Sequence, residues 1–164
     1  SERGKRRFAA ENAWMRLGAR SATTVMVFRL PGIYGPGRSM LDDVADGTAR
    51  RLVKKDQVFN RIHVEDIAGA VEAAIQRPRA GGIFNVVDDE PGPPQDVVSF
   101  AADLLGRPPP PEMPFEDAKL SPMARSFYSE NKRVSNARLK AELGYALAYP
   151  TYREGLRAIA ARSG

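Results

Sequence analysis

The sequence predicts an α/β fold, part of a doubly wound parallel sheet with a small mixed α/β lobe, as one unit over residues 1–164. Three observations predict it. Thr23–Leu30 is rich in β-branched and aromatic residues and apolar on both faces, the pattern of a central strand covered by helices on each side. Ile67, Ala70, Val71, Ala74 and Ile75 hold the i, i+3, i+4, i+7, i+8 spacing of an amphipathic helix, which Pro78 closes. After Gly82, Ile83–Val87 repeats the buried strand pattern. Strand, helix and strand at this spacing predict a parallel pair with a right-handed crossover.

The other elements follow from local signals. Ala9, Ala13 and Leu17, with Ala10 and Trp14 beside them, predict a helix over 7–17 that no capping residue opens. Pro31 ends the first strand, and a Gly/Pro loop runs from Pro31 to Gly37. Arg50–Val53 and Gln57–Ile62, joined through Lys54-Lys55-Asp56, predict a small hairpin. Val97, Phe100, Ala101, Leu104 and Leu105 form a helical face, with Gly106 placed as a left-handed C-cap. Pro108 to Pro111 read as a rigid polyproline II connector. Ser135 is placed to cap a short helix, with Val134 and Leu139 as a hydrophobic staple and Gly144 as the stop. Thr151 and Glu154 form a capping box for the last helix, which buries Leu156 and Ile159.

Composition narrows the function. A hydrophobic fraction of 43% and a charged fraction of 27% describe a soluble globular chain. No run approaches the roughly 18 apolar residues of a membrane span, and Ser1–Arg7 is too polar to open a signal peptide. The lack of cysteine removes disulfides, thiolate metal sites and cysteine nucleophiles, and a lone histidine disfavours a His-rich metal site, so no metal is expected. A bacterial cytoplasm is the expected compartment. The net charge of +5 collects at Lys5-Arg6-Arg7, at Arg50-Arg51 with Lys54-Lys55, and at Lys132-Arg133. Acidic residues are interspersed and no aromatic residues interleave the basic runs, which disfavours nucleic acid as a partner.

No catalytic constellation stands on its own. Gly32, Gly35 and Gly37 have the spacing G-x-x-G-x-G, which is not the dinucleotide fingerprint. His63, just before a helix, is expected to orient the helix start. Glu65–Asp66 and Asp88–Asp89–Glu90 are expected to be solvated or capping carboxylates. The loop at 31–39 is the exception, because it leaves the carboxyl end of a strand, where ligands bind in open α/β sheets. Its glycines let backbone approach a ligand, and Arg38 supplies a fixed cation. A plain strand-to-helix connector fits the same residues equally well.

Several segments carry a resemblance. Arg29-Leu30-Pro31-Gly32-Ile33-Tyr34-Gly35-Pro36-Gly37 is similar to the Arg-Pro-x-x-(Val/Ile)-Tyr-Gly-Pro-Gly segment of extended short-chain dehydrogenases. Arg61-Ile62-His63-Val64-Glu65-Asp66-Ile67-Ala68 resembles their Phe-Ile-His-Val-Asp-Asp-Val-Ala segment, and Gly82–Val86 the strand that follows. Asn131 through Gly144 resembles the family's Asn-x-Lys/Arg-x-x-x-x-Leu-Gly stretch, and Pro150 to Leu156 the start of its terminal helix. In this order and spacing the segments cover essentially the whole chain. They identify it with the C-terminal part of an NAD(P)-dependent epimerase/dehydratase of the extended or atypical short-chain dehydrogenase/reductase superfamily.

The resemblance implies a Rossmann-like sheet completed by a substrate-binding lobe, with NAD or NADP held by an N-terminal half whose glycine fingerprint is not in this sequence. It implies that Pro31, Gly32, Ile33 and Tyr34 lie by the nicotinamide end of the cofactor. Counting back from Glu11 puts Arg7 at the position of the family's lysine and Arg3 at that of its tyrosine. Arg38, Asn131, Lys132 and Arg133 would face a small-molecule substrate. Arginine at position 3 cannot act as the family's acid, so no catalytic residue is assigned within the chain. The expected function is the substrate-side portion of an oxidoreductase, inactive without its cofactor-binding half. The alternatives are a non-enzymatic NADP-sensing protein on the same fold and, less favoured, a basic nucleic-acid-binding module. Half of a doubly wound sheet exposes apolar flanks, so self-association or a missing N-terminal half is expected as the partner, and no membrane.

Overall fold

A computed structural model describes residues 2–163. In chain order the elements are α1 (Glu2–Arg20), β1 (Val27–Arg29), β2 (Gly32–Tyr34), α2 (Met40–Ala45), β3 (Arg51–Val53), β4 (Arg61–His63), α3 (Val64–Gln76), β5 (Ile83–Asn85), α4 (Pro94–Leu104), β6 (Glu112–Pro114), a 3-10 turn (Phe115–Asp117), α5 (Pro122–Phe127), α6 (Ala137–Leu143) and α7 (Tyr152–Ser163). The strands form three parallel pairs: β1 with β5, β2 with β4, and β3 with β6.

The β1–β5 pair is the one the sequence predicts, in register Val27–Ile83 to Arg29–Asn85, with α3 in the crossover. Side chains alternate faces along a strand, so the β2–β4 pair divides the interior in two. Ile33 and Ile62, directly opposite each other, face a core of Ala70, Phe84, Val86 and Leu139. Tyr34 and His63, the next matched pair, face the other way, where Tyr34 packs with Val97, Tyr152 and Leu156. Ile62, Phe84 and Leu139 are wholly buried, and burial of each such side chain stabilises the fold by about 1.5–3 kcal/mol.

α1 is longer than the helix expected over 7–17. Glu2 in its first turn and Arg20 in its last complement the helix dipole. The strand within Thr23–Leu30 shrinks to three residues: Val27 and Phe28 are half-buried and Leu30 is 40% exposed, because β1 has a neighbour on one side alone among the described residues. The hairpin does not form. After the turn at Asp56 (φ 59°), Val58 donates its N–H to the Asn131 side chain and Phe59 pairs its backbone with Gly92. The segment therefore cannot return along β3, which pairs with β6 instead, while β4 joins β2. The expected loop Pro31–Gly37 accordingly contains a strand.

The terminal helices follow their sequence signals closely. Thr151 and Glu154 bond reciprocally at the start of α7, and Leu156 and Ile159 are buried. Gly106 and Gly144 are left-handed after α4 and α6. For α6 the N-cap is Asn136 rather than Ser135, although the Ser135 hydroxyl accepts from the Ala137 N–H at 3.2 Å. Asn136 is drawn away from capping because its amide donates to the Val87 carbonyl (2.9 Å) and to Asp89 (2.7 Å).

Candidate functional site

Both strands of the β1–β5 pair end at one edge, at Arg29 and Asn85. Beyond β1 the chain passes through Leu30 and Pro31 to Gly32, whose N–H donates to the Asn60 carbonyl at 3.3 Å. The Asn60 amide reaches the other way: Nδ2 donates to the Lys132 carbonyl (2.9 Å) and Oδ1 accepts from the Val134 N–H (2.9 Å). Beyond β5, Asn85 Nδ2 donates to the Ser135 carbonyl at 3.2 Å. Residues 132–135 are thus strapped across the carboxyl edge, beside Gly32.

The residues singled out from the sequence take different places on this edge. Gly32 is exposed and Pro31 half-exposed, whereas Ile33 and Tyr34 turn their side chains into the two cores. Asn131 spends its amide on the backbone of 56–58, donating to the Asp56 carbonyl (2.8 Å) and accepting from Val58 (3.1 Å). Lys132 pairs with Glu130 at 2.7 Å, and Arg133 is exposed.

Arg7 is placed by the packing of α1. Gly18 packs against Val25, while Glu11 bonds Arg29 through both guanidinium contacts (2.7 and 3.1 Å). α1 therefore runs antiparallel to β1, and its first turns extend past the strand's carboxyl end. Arg7 stands four residues before Glu11 and so on the same helix face, about 6 Å further along the axis. The Arg29 guanidinium holds the Glu11 carboxyl below its ordinary value.

A cleft of about 440 Å³ opens on the other side of Gly32. Arg38 lies at its rim, on a tight turn in which Gly35 and Arg38 exchange both backbone hydrogen bonds (3.1 and 3.0 Å). Ser39 and Asp42 close the start of α2, with the Asp42 carboxylate accepting from the Ser39 N–H and hydroxyl at 2.7 Å each. Arg61 and Tyr152 also line the cleft. Burial pushes Arg61 below its ordinary value, against the attraction of Asp88.

His63 is a helix cap, as expected. Its Nδ1 accepts from the Glu65 N–H at 3.2 Å, which places the ring proton on Nε2. The ring is buried between Tyr149 and Tyr34, and burial lowers its affinity for a second proton. Two of the carboxylates expected to be solvated or capping are buried instead. Asp66 accepts from the Tyr145 hydroxyl (2.8 Å) and from the Ala148 and Tyr149 N–H groups (2.7 and 3.1 Å), fastening α3 to the segment before α7. Asp88 is 2% exposed, neither carboxylate oxygen bonds a side chain, and burial pushes it up to about 7 against the pull of Arg61 and the Glu90 backbone N–H. The sequence masks Asp88 because it stands in an acidic run whose neighbours are partnered at the surface, Asp89 by Lys140 and Glu90 by Arg153. Among the described residues no group of three His, Asp or Glu side chains could hold a metal ion, and no helix is long and apolar enough to cross a membrane.

No family model matches the chain. It is 32% identical over 154 residues to a 3-diazoavenalumate denitrifying reductase from a Streptomyces species, a match covering 86% of this chain and 49% of that protein. A conserved protein of unknown function from Silicibacter pomeroyi is 53% identical in structure alignment, with a TM-score of 0.90 over 99% of this chain and 56% of the other. A Methylobacillus flagellatus protein assigned to the NAD-dependent epimerase/dehydratases is 32% identical, with a TM-score of 0.65 over 98% of this chain and 53% of that one. At 24% identity the human epimerase family protein SDR39U1, solved with NADPH, shares the fold, with a TM-score of 0.71 over 86% of this chain and 50% of that one. The chain spans about half the length of each of these proteins. By fold, its neighbours are NAD(P)-dependent epimerase/dehydratase-type proteins, about half of each of which this chain matches, and its sequence segments resemble the C-terminal part of the same group.

Proposed function

We propose that this chain is the substrate-side portion of an NAD(P)-dependent oxidoreductase, epimerase or dehydratase, and that it performs no nicotinamide chemistry without a dinucleotide-binding half. The observation that carries the reading is the carboxyl edge of β1–β5, where the strapped segment 132–135 lies beside exposed Gly32 and past which the first turns of α1 extend. Bound NAD or NADP supplies the hydride donor or acceptor. On this edge the chain offers residues that fit its nicotinamide end: the Pro31–Gly32 backbone, which can approach a flat ring closely, and Arg7, a cation suited to ribose hydroxyls. Arg38, Lys132 and Arg133 then face the substrate, and Asn131 holds their segment in place.

Titration of NADPH, followed by its fluorescence, tests the reading on two proteins. The chain alone is expected to leave the signal unchanged. The same chain preceded by a dinucleotide-binding half is expected to bind and to oxidise NADPH with a suitable substrate. Micromolar binding by the chain alone would overturn the division of labour. Arg3 at the tyrosine position favours the second reading, an NADP sensor, which is established instead if the longer protein binds NADPH tightly and turns over no member of a broad substrate panel.

A further inference from the structure

Arg61 has more donors than the protein uses. A guanidinium carries five N–H groups. Nη1 donates to the carbonyls of Phe59 (2.9 Å) and Gly92 (3.1 Å), and the group lies over the Tyr152 ring at 5.8 Å. Nε and Nη2 donate to no atom of the described chain, and neither is among its sealed, unsatisfied atoms, so both keep solvent contact on a residue that lines the cleft. The residue directly opposite Arg61 on β2 is Gly32, which has no side chain to cover them. A side-by-side Nε and Nη2 is the face of arginine that matches a planar carboxylate with two parallel hydrogen bonds.

The rest of the cleft selects among anions. Met40, Val97 and Leu156 make part of its wall apolar, and its volume is that of a small-molecule pocket. Arg38 adds a second cation at the rim. Asp42 is occupied by Ser39, but Asp43 and Asp46 also line the cleft, and their charge opposes a ligand that carries several negative charges. We propose that the cleft takes the carboxylate end of a small organic acid with an apolar body, Arg61 holding the carboxylate through Nε and Nη2 and Arg38 approaching it from the rim. The proposal rests on the reading of this chain as a substrate-side portion and names the chemical class of its substrate.

The test is an NMR titration of the isotope-labelled 164-residue chain, with no cofactor present. The probes are 3-phenylpropanoate, 3-phenylpropanamide and inorganic pyrophosphate. Saturable shifts at Gly32, Arg38 and the Arg61 Nε–H are expected with the propanoate, with the amide at least about tenfold weaker. Arg61→Lys keeps the charge but loses the fork and should weaken binding about tenfold. Gly32→Val fills the space opposite Arg61 and should abolish binding; a β-carbon there meets nothing nearer than the Asn60 carbonyl at 3.5 Å, so the fold has room for it. Equal binding of acid and amide, tighter binding of pyrophosphate, or undiminished binding to the folded Gly32→Val variant would each overturn the proposal. Because no nicotinamide enters the experiment, these failures stand apart from a failure of the NADPH titration.

Discussion

The backbone N–H of Asp88 donates to the carbonyl of Arg61 at 2.8 Å, yet the carboxylate of one and the guanidinium of the other form no ion pair. Asp88 is consequently a buried acid without a bonded counter-charge, raised from 3.8 to about 7 chiefly by loss of hydration. The folded state keeps a proton that the unfolded chain releases, so this residue's contribution to stability falls as pH rises from about 4 to about 7 and stays low above that. Asp88→Asn, which has no proton to lose, should gain on the wild type across the same interval, by at most about 4 kcal/mol. Urea midpoints of both proteins at pH 5 and pH 8 measure this. Parallel pH profiles would reject it.

The Tyr34 hydroxyl rests against the backbone of Gly155, where a β-carbon would overlap both the phenol oxygen and its ring. Gly155→Ala should therefore cost about 1–3 kcal/mol through overpacking. Tyr34→Phe removes a buried hydroxyl that has no partner, and should be neutral or slightly stabilising. Denaturant midpoints of the two single variants check both signs.

Glu11 and Arg29 join α1 to the end of β1, but both side chains keep solvent contact, so the pair's worth in global stability is small, on the order of 0–1 kcal/mol. Its effect is local. In Glu11→Gln, hydrogen exchange of the α1 amides should accelerate while that of α3 and α7 is unchanged, with little loss of melting temperature. A uniform acceleration would mean that the pair supports the whole fold.

Ala10, Ala13, Trp14 and Leu17 recur at i, i+3, i+4 and i+7 on α1, and Trp14 and Leu17 are 61% and 50% exposed. A stripe of this kind buries itself when it can. The chain alone is expected to scatter light as a species heavier than 18.0 kDa at high concentration. Trp14→Glu combined with Leu17→Lys should return it to the monomer mass. A monomeric wild type would remove the expectation.

What could be read in advance divides along physical lines. Helices α3, α4 and α7 announce themselves because spacing, caps and stop residues agree locally, and the parallel β1–β5 pairing follows from the strand–helix–strand order once its strands are found. The pairing of β3 with β6 could not be read, because both strands are three residues long and their partners lie about sixty positions apart. The Lys54–Asp56 turn suggests a hairpin by local rules, and distant amides at 131 and 92 override it. In the site, Arg38 and Gly32 stand out as loop residues after a strand. Arg61 and Asp88 do not, because nothing local distinguishes a buried charge from a solvated one.

The two amide clamps have an evolutionary consequence. Asn60 and Asn131 bind backbone atoms in each other's segments, so the course of 56–60 is set by that of 131–134 and the reverse. An insertion in one segment without a matching change in the other would break the clamps in any descendant. Homologues should therefore show these two stretches changing length together, so that the lobe diversifies by paired edits.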